Sequence, residues 1–144
     1  LDPTPLSRPF LGDLVEILVV DGSPAAPESL EELNLTADEA WARVRRDARV
    51  GRFTASPLER YGAVVRLTAN AGMLFDPGTC TRADQGNRLF LILGPDAIAT
   101  ADRRTPGAEG DFFRLLRDVA PTAYSTTPVT CRAGAWEIAR RQGQ

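Results

Sequence analysis

Apolar and polar positions alternate along this chain in short blocks punctuated by proline and glycine, the pattern of strands and short helices. Leu1 to Pro9 reads as an extended lead, because Pro3, Pro5 and Pro9 fix φ and remove donors that a helix needs. Leu14 to Val20 is β-branched and apolar on both parities after Glu16, which predicts a central strand buried on two faces. Asp21-Gly22-Ser23-Pro24 ends it. Ser29-Leu30-Glu31-Glu32 and Thr36-Ala37-Asp38-Glu39 then form two successive capping boxes, in which a hydroxyl and a carboxylate three residues later satisfy orphan amides. They predict a short helical turn and a longer helix from Ala37 to Val50, with Trp41, Val44 and Ala48 on one face and a stop near Gly51.

Ala63 to Thr68 predicts a strand, Met73-Leu74-Phe75 a short one, and Arg88 to Leu93 a third that turns through Gly94-Pro95-Asp96 into a partner at Ala97 to Ala101. Asp111 is placed to cap a helix from Phe112 to Ala120, with Phe112, Leu115, Leu116 and Val119 at helical spacing and Pro121 as terminator. Pro128 to Cys131 and Ala135 to Arg140 predict a closing hairpin with Trp136 and Ile138 on one face. This order of elements implies an α+β fold, a mixed or antiparallel sheet with two or three helices packed on it. At 144 residues the expectation is one domain over 1–144, with 1–10 as its lead.

Composition narrows the chemistry. All 17 basic residues are arginine and there is no histidine, so a lysine Schiff base, a P-loop lysine, a Ser-His or Cys-His pair and any His metal ligand are excluded within these residues. Replacement of Lys by Arg, beside abundant Ala, Gly and Pro, fits a GC-rich bacterial source. The net charge is −2, but residues 1 to 40 carry nine acids and a single arginine, Arg8. The expectation is an acidic surface beside a basic one in a single fold. No apolar run approaches the roughly 18 residues of a membrane helix. With only Cys80 and Cys131, two unpaired thiols of a cytoplasmic protein are expected; paired, their loop of about 50 residues would contribute roughly 4 kcal/mol. Beginning at Leu1, the chain reads as processed or trimmed.

Arg43, Arg45, Arg46, Arg49 and Arg52 crowd the longer helix and its end, and form the candidate surface for contact with another protein. Nucleic acid is not favoured, because the chain is acidic overall and no aromatic residues interleave these arginines. Glu28, Glu31, Glu32, Asp38 and Glu39 gather at helix starts, where they meet the positive ends of helix dipoles. Asp76, Cys80, Arg82, Asp84 and Asn87 belong to the most polar stretch, read as a solvated hairpin loop and as the one candidate site for a small enzyme using carboxylates, arginine or Cys80. A cysteine nucleophile ordinarily works with an imidazole, and the two aspartates lack metal-loop spacing, so neither catalytic residue, metal nor cofactor is assigned. Asn70-Ala71-Gly72 reads as a turn, and Tyr124-Ser125-Thr126-Thr127 as structural.

Two passages resemble the bacterial YtpQ-like family. One runs from Gly12-Asp13-Leu14 through Asp21 and on to Leu30-Glu31-Glu32-Leu33-Asn34-Leu35 and Thr36-Ala37-Asp38-Glu39-Ala40. The other is the closing stretch from Phe112 to Trp136-Glu137. Together they span about half the chain and leave Arg52 to Arg88 unmatched. The resemblance implies an α+β fold and carries over no catalytic residue. A non-catalytic binding or accessory domain acting through protein contacts is the function expected.

Overall fold

Prolines decide how the first strands pair. In the computed structural model, which describes residues 6–20, 23–47, 54–75, 78–81 and 87–142, the chain forms two compact units, Leu1–Ala48 and Arg49–Gln144. In the first, β1 (Ser7–Pro9) runs antiparallel to β2 (Val15–Ile17), and β3 (Val19–Val20) to β4 (Ser23–Pro24). Pro9 stands opposite Val15 and Pro24 opposite Val19, ladder positions where a missing N–H is harmless. The hydrogen bonds fall on even residues instead: the Phe10 amide donates to the Leu14 carbonyl at 3.0 Å and the Leu18 amide to the Leu6 carbonyl at 3.0 Å. At Leu18 three segments meet in a closed ring, since the Ala25 amide donates to Leu18 and the Leu6 amide to Ala25, both at 2.8 Å.

α1 (Pro27–Glu32) begins after Ala26, with Pro27 at the first helical position, where its fixed φ is already helical. That start moves Ser29 inside the helix. Its Oγ accepts the Ala26 amide at 3.3 Å, so Ser29 closes the turn from within and is not the cap expected of it. Thr36 caps α2 (Ala37–Asp47) as expected, its Oγ1 accepting the Glu39 amide at 3.1 Å, but the Glu39 carboxylate accepts from the Thr36 hydroxyl at 3.0 Å, not from the Thr36 amide that a full capping box would use. The expected continuation to Val50 lies outside the described residues. Leu18, Ala25, Leu30 and Ala40, flanked by Leu6, Leu35 and Trp41, make this unit's core.

The expected doubly buried strand over Leu14 to Val20 is corrected. Leu14, Glu16 and Leu18 are buried, whereas Val15, Ile17 and Val19 are 56%, 51% and 57% exposed. The helices of this unit pack on the even face, and apolarity on both parities could not reveal that the odd face is left bare.

The second unit is a six-stranded antiparallel sheet in the order β10-β9-β7-β8-β6-β5, made of β5 (Thr54–Pro57), β6 (Val65–Thr68), β7 (Arg88–Gly94), β8 (Ala97–Asp102), β9 (Val129–Arg132) and β10 (Ala135–Ile138). The β7–β8 and β9–β10 hairpins match expectation, the latter turning on Ala133 and Gly134, both at positive φ as a tight two-residue hairpin requires. β5 was not foreseen: Thr-Ala-Ser-Pro has no apolar alternation and is exposed throughout at the sheet's edge. α3 (Ala108–Val119) follows Gly107, one turn earlier than a helix capped by Asp111. Asp111 lies within it, and its carboxylate accepts the Ala63 amide at 3.4 Å. Gly62 is needed there, because its φ is +53° and a Cβ would collide with that carboxylate.

α3 lays Ala108, Phe112 and Leu115 over Leu89, Leu91, Ala99 and Ala101; the two alanines leave room for Phe112. Cross-strand register sets Phe90, Ile92, Ile98, Val129 and Cys131 on the other face, and they too are buried. Residues 71–75 and 78–81 are fastened to that face. The Trp136 indole N–H donates to the Leu74 carbonyl at 2.9 Å, its ring meets Phe90 edge-on at 5.7 Å, and Cys80 is disulfide-bonded to Cys131.

Three expectations change here. Met73-Leu74-Phe75 belongs to a 3-10 helix (Ala71–Phe75), not a strand. Both edges of β6 are already taken by β5 and β8, and the Gly72 amide bonds the Asn70 side chain at 2.7 Å, curling the chain onto the face. The cysteines are paired, not free. The described part of the 76–87 stretch is a helical turn at 78–81 with Thr79 and Cys80 buried, not a solvated hairpin loop.

After β8 the chain turns on Asp102, whose carboxylate takes the Arg104 guanidinium at 2.7 Å and the Arg104 amide at 2.8 Å. The hydrogen bond from the Arg104 side chain, aided by the amide bond and by charge, lowers the Asp102 pKa from 3.8 to about 2.

Two outcomes follow from these contacts. Reduction, or joint replacement of Cys80 and Cys131 by serine, should lower unfolding stability by about 4 kcal/mol, as expected for a loop of this length. Urea midpoints with and without reductant measure it, and equal midpoints contradict it. Because the folded Asp102 titrates below its unfolded value, its stabilisation is complete above pH 3.8 and is lost as pH falls toward 2. Asp102→Asn should therefore flatten the stability–pH slope in that window, read from urea midpoints at stepped acid pH; an unchanged slope excludes this role.

Candidate partner-binding surface

Residues alternate in face along a strand. With Leu14, Glu16 and Leu18 turned to the core, Val15, Ile17 and Val19 form an outward stripe. Register sets Pro9 beside Val15, Ser7 beside Ile17 and Pro24 beside Val19, and Ser7, Pro9 and Pro24 are also exposed. Five of these six side chains are apolar, three of them β-branched, so the outer face of the ribbon is a continuous apolar strip. Scattered exposed apolar residues need no explanation, whereas a contiguous set makes the strip a candidate contact surface.

The ribbon is braced from behind. Glu16 is 6% exposed and pairs across the strands with Arg8, whose Nε reaches its carboxylate at 2.8 Å. The same guanidinium lies over the Trp41 ring, 4.2 Å from its centroid. One planar cation thus neutralises a buried carboxylate and stacks on an aromatic ring of α2. α2 therefore lies on the buried side of the ribbon, behind the apolar strip.

Arg43 is exposed on α2 and lines a recess of about 260 Å³ with Leu35, Glu39 and Ala42. Arg45 and Arg46 lie on the same helix. Arg49 and Arg52 fall outside the described residues. In the polar stretch, Asp76, Arg82 and Asp84 are likewise outside them. Asn87 sits at the turn into β7 with φ 51°, and its carbonyl accepts the Arg103 amide at 3.2 Å. Cys80 is brought to Cys131 and, as half of a disulfide, has no thiolate to offer. Among the described residues no group of three or more His, Cys, Asp or Glu is placed to hold a metal ion, and no helix is long and apolar enough to cross a membrane.

Sequence reading missed the strip, although a signal for it exists. Val15, Ile17 and Val19 share one parity, and the only charge between Leu14 and Val20, Glu16, falls on the other. A lone charge ordinarily marks the solvent face, and here a cross-strand arginine inverts that rule. No protein-family model, no curated protein and no solved structure matches the chain.

Arg8→Ala should destabilise the protein by about 2 kcal/mol, since it removes a charge-assisted bond to a buried carboxylate. Arg8→Lys should recover only part, because an ammonium keeps the charge without the planar stack. Urea midpoints of the two variants measure this; an alanine variant as stable as the parent contradicts the brace.

Proposed function

We propose that this chain is a non-catalytic binding module that docks another protein through the outer face of its amino-terminal ribbon. The strip of Pro9, Val15, Ile17, Val19 and Pro24 carries the reading. Its backing by the Arg8–Glu16 pair and Trp41 supports it further, because a preorganised surface loses little conformational freedom on binding. The arginines of α2, with Arg43 exposed, offer a separate charged surface for the same kind of partner. The disulfide supports residence in an oxidising compartment rather than the cytoplasm expected from composition.

A photo-crosslinking amino acid at position 17, introduced in the producing cells, tests the reading against the same residue at exposed Arg132 in the second unit. A discrete protein adduct from position 17 and none from position 132 is expected. Equal labelling at both, or none at 17, rejects the ribbon as a docking face.

A further inference from the structure

In a β-strand the N–H and C=O of one residue leave on the same edge, and successive residues alternate between edges. The Leu14 carbonyl accepts the Phe10 amide, while Leu18 donates to Leu6 and accepts from Ala25, which puts both β1 and β4 on one edge of the 14–20 segment. Val15, Ile17 and Val19 direct their backbone groups to the opposite edge, where no described strand runs. These residues also carry the exposed side chains. No charge and no proline occurs at 15, 17 or 19 to blunt this edge. The second unit guards its edges: β5 carries Pro57, and β10 carries Glu137.

We infer that this edge accepts an extended segment of another protein as an added β-strand, apolar at alternate positions and flanked by Arg or Lys. The inference rests on the binding reading above and specifies its ligand. Backbone pairing would supply affinity, and contact with Val15, Ile17 and Val19 would set which face of the added strand is apolar. Charge selects the occupant. The unit Leu1–Ala48 holds ten acids against four arginines, and one of those arginines, Arg8, is committed to Glu16 and Trp41. A second copy would bring together two units that are each net negative, with ten acids against four arginines, like against like.

The probe is a synthetic peptide, Arg-Thr-Val-Thr-Ile-Thr-Val-Thr-Arg with blocked ends, titrated against the full chain by calorimetry at low salt. Two N-methylated forms accompany it, one methylated on the Val and Ile amides and one on the Thr amides. Saturable one-to-one binding is expected, lost at least tenfold on methylating one set and kept on methylating the other, because a paired strand uses only one of its edges. Ile17→Thr, which keeps β-branching and so the fold, should weaken binding several-fold with an unchanged circular dichroism spectrum. A peptide with glutamate at both ends should also bind several-fold more weakly. Equal binding by both methylated forms overturns strand addition. Failure of the unmodified peptide, with crosslinking at position 17 intact, overturns it while leaving the docking face standing. A dimer in sedimentation that Ile17→Arg dissociates, together with no peptide binding, overturns it in favour of self-pairing.

Discussion

A strand offers its side chains and its backbone with the same period of two, and this coupling governs the amino-terminal unit. Once Leu14, Glu16 and Leu18 turn inward and take the hydrogen bonds of β1 and β4, Val15, Ile17 and Val19 are left with both an outward side chain and an outward backbone edge. One choice of register creates the apolar strip and the open edge together. The Leu6–Leu18–Ala25 ring fixes that register, since slipping the strand by one residue would bury the odd residues and break both bonds that Leu18 makes.

The second unit shows the opposite arrangement. Its sheet is apolar on both faces; α3 packs on one, and residues 71–75 and 78–81 are held to the other through Trp136, Leu74 and the disulfide. These covering residues are joined to the sheet covalently as well as by the buried Leu74. Cross-linking the loop lowers the entropy of the unfolded chain and holds Cys80 against Phe90's side of the sheet. The same pair of sulfurs removes Cys80 as a candidate nucleophile and moves the proposed compartment from reducing to oxidising.

Much of this architecture was legible in the sequence, for identifiable reasons. The β7–β8 and β9–β10 hairpins announce themselves through Gly94-Pro95-Asp96 and Ala133-Gly134, and α2 through the Thr36–Glu39 cap, because turn and cap chemistry is local. β5 was hidden because an exposed edge strand needs no apolar face. The start of α3 was hidden because Gly107 caps it by conformation rather than by a side chain. The disulfide and the strip were hidden for a deeper reason. Each depends on which residues meet across the fold, Cys131 over Cys80 and Arg8 beside Glu16, and periodicity along the chain does not encode such meetings.

Residue-resolved amide hydrogen exchange across 14–19 tests the central claim, a strand paired on one edge only. The account predicts alternation, with slow exchange at Glu16 and Leu18 and fast exchange at Val15, Ile17 and Val19. Uniform protection from Leu14 to Val19 would contradict it, because the odd edge would then already be paired.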